Sequence, residues 1–94
     1  MNVITANSNV EQHLHVTPKN YVIDSVKVIK ENGVEVVYSP NTTVVANWVI
    51  LSDVYDLPKG VHEIICYNGT DEVYKGLLNS IDGNEILKSE IIFV

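Results

Sequence analysis

Residues 55–78, YDLPKGVHEIICYNGTDEVYKGLL, restrict the fold more than any other stretch of the chain. Pro58 fixes its own φ and lacks an N–H, and Gly60 opens backbone angles that side chains close, so Leu57-Pro58-Lys59-Gly60 reads as a corner. Residues 61–67 then read as a short strand, Asn68-Gly69 as a tight turn tolerating positive φ, and residues 72–79 as the returning strand. This is one β-hairpin with a fixed entrance. A lone hairpin cannot bury a face, so the rest of the chain must supply further strands.

It does. In residues 10–16, Val10, Gln12, Leu14 and Val16 share one face, and Glu11, His13 and His15 share the other. Residues 17–20 break that strand. Residues 21–30 form the longest strand candidate, but Asp24, Ser25 and Lys27 interrupt both faces, which predicts a bend or bulge near Asp24-Ser25. Glu31-Asn32-Gly33 is a turn signal, and residues 34–39 return as the partner strand. Residues 43–51, β-branched and apolar, read as a single core strand in which Trp48 supplies the largest piece of the core. Residues 52–56 form a polar crossover carrying Tyr55, Asp82-Gly83-Asn84 a further turn, and residues 85–94 a last strand with Leu87, Ile91 and Phe93 inward. Residues 1–9 read as an N-terminal arm or first edge strand. Seven or eight short strands with a turn every eight to twelve residues predict a single all-β domain over residues 1–94, an antiparallel β-sandwich without helices.

Charge excludes several functions. The chain carries a net charge of −6, with six Lys and no Arg. Phosphate neutralisation requires clustered cations, so neither nucleic acid nor an anionic membrane is an expected partner. No segment has the length of a membrane span, and residues 1–12 lack the basic and apolar regions of a secretory signal. The one cysteine, Cys66, forms no intrachain disulfide and fits a reducing cytoplasm. The sequons at Asn41 and Asn68 then read as turn residues.

The residues that could carry chemistry do not assemble into a motif. His13 and His15 are two apart and point the same way on a strand, which gives two positions of a zinc site. A third ligand would have to be His62 or a carboxylate, and two solvent-facing histidines are the preferred reading of the pattern. Cys66 lies in an apolar strand with no nearby base in sequence, as a buried small hydrophobe would. Asp53, Asp56, Asp71, Glu72 and Asp82 lack the spacing of a calcium loop. There is no phosphate loop and no nucleophile elbow. The expectation is no catalytic site, no metal and no cofactor. The five tyrosines and Trp48 are candidates for a contact surface, and Tyr38, Tyr55, Tyr67 and Tyr74, at strand ends and corners, read first as cover for a thin core. The end of the chain, Ile91-Ile92-Phe93-Val94, is uncharged, and calls for a place inside the sheet or cover by strand addition from a neighbour.

Residues 57–66, LPKGVHEIIC, resemble the corner and penultimate strand of immunoglobulin-like and fibronectin-like sandwiches. His62 stands where those families place a corner tyrosine, and Ile64 and Cys66 take the inward positions. The continuation, Asn68-Gly69 followed by EVYKGLL over residues 72–78, resembles small β-sandwich modules of tailed-phage virions. The resemblance spans about a quarter of the chain. It implies an immunoglobulin-like structural protein of a bacteriophage virion, a capsid decoration, auxiliary, tail or fibre component. Such a subunit would be made in the host bacterial cytoplasm and would bind the major capsid protein, other virion proteins or copies of itself. The contacts would come from edge strands and chain ends, at Val3, Ile4, Tyr55, Ile92 and Val94. The alternatives are a carbohydrate-binding or adhesin-like module using Tyr55 or Trp48, and a small accessory or inhibitor subunit.

Overall fold

The computed structural model describes residues 2–82. Eight strands are present and, among the described residues, no helix: β1 (Asn2–Thr5), β2 (Gln12–Val16), β3 (Ser25–Ile29), β4 (Glu35–Tyr38), β5 (Asn41–Val45), β6 (Trp48–Asp53), β7 (Gly60–Asn68) and β8 (Asp71–Ile81). They form two sheets, a five-stranded one in the order β1-β8-β7-β3-β4 and a three-stranded one in the order β2-β6-β5. The chain changes sheet after β1, β2, β4 and β6, so the layers are woven together. All neighbours are antiparallel except β1, which runs parallel to β8 with Asn2 opposite Leu78 and Thr5 opposite Ile81. The expected turn at residues 82–84 and strand at residues 85–94, with Ile92 and Val94, lie outside the described residues.

Alternation builds the core. Leu14 and Val16 of β2 and Val49 and Leu51 of β6 face Val26 and Val28 of β3 and Ile64 and Cys66 of β7, with Ile4, Val73 and Leu78 completing the layer. Residues 21–30 are not one strand. The ladder begins at Ser25, and Asp24 turns outward, where its carboxylate accepts the Gly69 N–H at 2.7 Å while its own N–H donates to the Tyr67 carbonyl at 3.0 Å. The expected bend therefore ties the β7–β8 turn to the rest of its sheet. Val10 is exposed and Gln12 half-buried, so only half of the apolar row assigned to residues 10–16 reaches the core.

Residues 43–51 are two strands rather than one. Val45 pairs with Trp48 across a two-residue turn, Ala46-Asn47, with Ala46 at φ 53°. Positive φ at the first turn position suits the right-handed twist of a hairpin, and a β-branched run does not exclude it. The turn sets the phase of β6, sending Val49 and Leu51 inward and leaving Trp48 48% exposed. The largest fully buried side chain is instead Tyr55, 0% exposed. Its hydroxyl donates to the Leu51 carbonyl at 2.9 Å, and its ring meets Tyr38 edge-on at 5.0 Å.

The corner at residues 57–60 is locked by His62, which is buried beneath it. His62 Nδ1 accepts the Glu31 N–H at 3.1 Å, so the proton sits on Nε2, which donates to the Pro58 carbonyl at 2.9 Å. The Leu57 carbonyl accepts the Asn7 N–H at 2.8 Å, bringing the β1–β2 connection onto the same corner. Gly60 has φ 144°, a backbone conformation that side chains rarely adopt, so the corner needs glycine for its backbone, while a Cβ there would only push aside the flexible Glu31 carboxylate. Further along, the β7–β8 register slips between Cys66 and Tyr67, leaving Val73 as an extra residue on β8. The bulge turns Val73 into the core next to Tyr74, and the Val73 carbonyl accepts the Lys19 N–H at 2.9 Å.

Candidate interaction surface

A sandwich of two open sheets has four edge strands, and each must be closed, charged or shared. β1 and β2 close each other. The Asn2 side chain donates to the His15 carbonyl at 3.0 Å and accepts the His15 N–H at 2.8 Å. Gln12 does the reciprocal job, accepting the Thr5 N–H at 2.7 Å and donating to the Thr5 carbonyl at 3.0 Å. Each side-chain amide thus imitates a neighbouring strand, and the seam between the sheets is laced on that side. β4 is four residues long and carries Glu35, which lies 3.7 Å from Lys27 on β3. β5 has none of these devices. All five of its residues, NTTVV, are exposed, and no charged residue occurs between Glu35 and Asp53.

The outer face of the three-stranded sheet follows from its register. One row is His13, Ser52 and Asn41, the next His15, Ile50 and Thr43, and the third is Trp48 and Val45. His13 Nδ1 lies 2.7 Å from Ser52 Oγ, and the Trp48 indole meets the His15 ring edge-on at 6.4 Å. An open groove of about 540 Å³ runs from this face towards the five-stranded sheet, lined by Asn2, Val3, His13, His15, Trp48 and Tyr74 among others. Tyr74 owes its position to Gly76: a Cβ at residue 76 would lie 2.6 Å from the tyrosine hydroxyl.

Of the contact residues named from the sequence, Val3 is 50% exposed on β1, on the wall of this groove. Ile4 and Tyr55 are corrected. Ile4 is 2% exposed because alternation on β1 turns it into the core, and Tyr55 is enclosed beneath the β6–β7 crossover, so neither side chain reaches a partner or a sugar. His62 lies inside the corner, away from the outer-face pair His13 and His15, and no group of three metal-ligating side chains occurs among the described residues. Cys66 is buried, and burial pushes its thiol up from 9.0 to about 12. The β5 edge escaped the sequence reading because the Ala46-Asn47 turn was absorbed into one long strand. Its signal was the seventeen-residue span without charge, residues 36–52. The chain matches no protein-family model, no curated protein and no solved structure.

Proposed function

We propose that the chain is a structural subunit of a bacteriophage virion, an immunoglobulin-like decoration, auxiliary, tail or fibre component that joins neighbouring subunits by strand addition. The observation that carries the joining role is the β5 edge, five exposed uncharged residues in a chain of net charge −6. Two sheets in the orders β1-β8-β7-β3-β4 and β2-β6-β5, with β1 parallel to β8, support the immunoglobulin-like reading. The virion assignment rests on the resemblance of residues 57–78. Residues 2–5 are held in a sheet, so the contact falls to β5 rather than to a free N-terminal arm. Labelled antibody and electron microscopy of purified particles test the reading. The expected result is regular labelling of the shell or tail, and a chain absent from every particle would end it.

Exposed Trp48 beside His15 and the adjoining groove favour a second reading, a carbohydrate-binding module in which the indole stacks on a sugar face. Saturable glycan binding that disappears in Trp48→Ala, with thermal unfolding unchanged, is the result it requires.

A further inference from the structure

We infer that Asn32 is a site of spontaneous covalent modification, a turn asparagine that converts to aspartate or isoaspartate, and that Asp24 shields Asn68 from the same reaction. Of the five glycines, two follow an asparagine, Gly33 and Gly69. A glycine has no side chain to keep its nitrogen away from the Cγ of the residue before it. In the reaction the Gly33 nitrogen gives its proton to hydroxide and forms a bond to Asn32 Cγ. The Cγ–Nδ2 bond breaks, and Nδ2 takes a proton from water and leaves as ammonia. A second water opens the cyclic imide at either carbonyl and leaves a carboxyl group at residue 32. The sum is asparagine and water giving an acid and ammonia, with no oxidant, metal or enzyme required.

In sequence the two sites are near-equivalent, and the fold separates them. Asn68 is the last residue of β7, half-buried and paired with Asp71, so the ladder holds its backbone extended. The Gly69 N–H, whose proton must be lost, donates to the Asp24 carboxylate at 2.7 Å. That charge holds the proton and opposes a second negative charge on the Gly69 nitrogen. Asn32 is exposed and lies outside the ladder, which ends at Ile29 and Glu35. The Gly33 N–H donates only to the uncharged Lys30 carbonyl, at 2.8 Å. Asn32 Oδ1 already accepts the Val34 N–H at 3.0 Å. That donor polarises the Cγ under attack and stabilises the negative charge that the attack places on Oδ1. The product falls beside Glu31, whose N–H holds His62 beneath the corner. It adds one negative charge to a chain of net charge −6, and isoaspartate also inserts a backbone carbon there.

Incubation of the full chain in mildly alkaline buffer, then proteolysis and mass spectrometry of the peptides, tests the inference. Each conversion replaces an amide NH2 by OH and is read from its mass gain. In the folded chain Asn32 should convert about tenfold faster than Asn68. In urea above the unfolding transition the two rates should come together, because the Asp24 and Val34 hydrogen bonds are lost there. Asp24→Ala should speed the conversion of Asn68 several-fold and leave that of Asn32 unchanged; the urea comparison needs no variant and holds whether or not this one folds. The inference is overturned if Asn68 converts as fast as Asn32 in the folded chain, if the difference is as large in urea, or if Asn68 is no faster in folded Asp24→Ala. A folded chain that keeps Asn32 intact for the time that converts both sites in urea overturns it as well.

Discussion

At the scale of single residues, His62 carries the corner. The phenol of a tyrosine corner bonds back to the main chain a few residues upstream. The His62 imidazole makes that kind of bond to Pro58, four residues back, and adds a second from Glu31 that a phenol in the same place has no ring nitrogen to accept. His62→Phe keeps an aromatic ring, slightly overfills the site, and leaves the Pro58 carbonyl and the Glu31 N–H without their partner, and should lower stability by about 2 kcal/mol or more in urea unfolding. Cys66 and Tyr55 set the alkaline limit of the fold. Burial raises both, the thiol to about 12, and the Asp53 charge adds to the rise at Tyr55. The unfolded chain loses these protons at lower pH than the folded one, so their contribution is complete below pH 9 and falls as pH rises from 9 towards 12. Denaturation midpoints measured across that window should drop, and Cys66→Val should flatten the first part of the drop. The inward directions of His62, Ile64 and Cys66 were legible from the resemblance of residues 57–66 to the corner strand of immunoglobulin-like sandwiches, since Ile64-Ile65-Cys66 has no clean alternation. Tyr55 was not, because a crossover has no period to read.

Among the elements, the β5–β6 hairpin separates what pattern reveals from what it hides. A turn without glycine or proline, between valines and a tryptophan, leaves Asn47 as its one punctuating residue. Reading residues 43–51 as one strand then gives Trp48 to the core by size alone, although the true phase places Val49 and Leu51 there. Ala46 holds φ 53° where glycine would be unstrained, so Ala46→Gly should raise stability by about 0.5–1 kcal/mol in chemical denaturation. The β7–β8 hairpin was legible because Asn68-Gly69 and the Leu-Pro-Lys-Gly corner bracket it. Its bulge was not, since Glu72, Val73 and Tyr74 keep ordinary alternation in sequence while the register slips beneath them. The β5 edge was visible only as missing charge, and became an edge once the turn at Ala46-Asn47 divided the strand.

For the whole molecule, charge and edges act together. Twelve acidic residues against six lysines make copies repel at long range, least along the neutral β5 edge. Salt screens that repulsion, so the repulsion between copies, measured as the second virial coefficient in sedimentation experiments, should fall as ionic strength rises. The opposite side of the sandwich has another property. β1 runs parallel to β8, so a pull at Asn2 and an opposing pull at Asp82 drag the two strands past each other along their own axes. Every bond of that ladder is then strained together, and the Asn2 and Gln12 latches, which tie β1 to β2, must break as well before β1 can slide. Force applied at Gly60 and Ser80, which face each other on β7 and β8, would instead open bonds one after another. Single-molecule pulling should give a clearly higher rupture force for the first geometry than for the second. A chain tethered from those two sites is thus built to stay folded under tension, and to lengthen only after its N-terminal strand has sheared free.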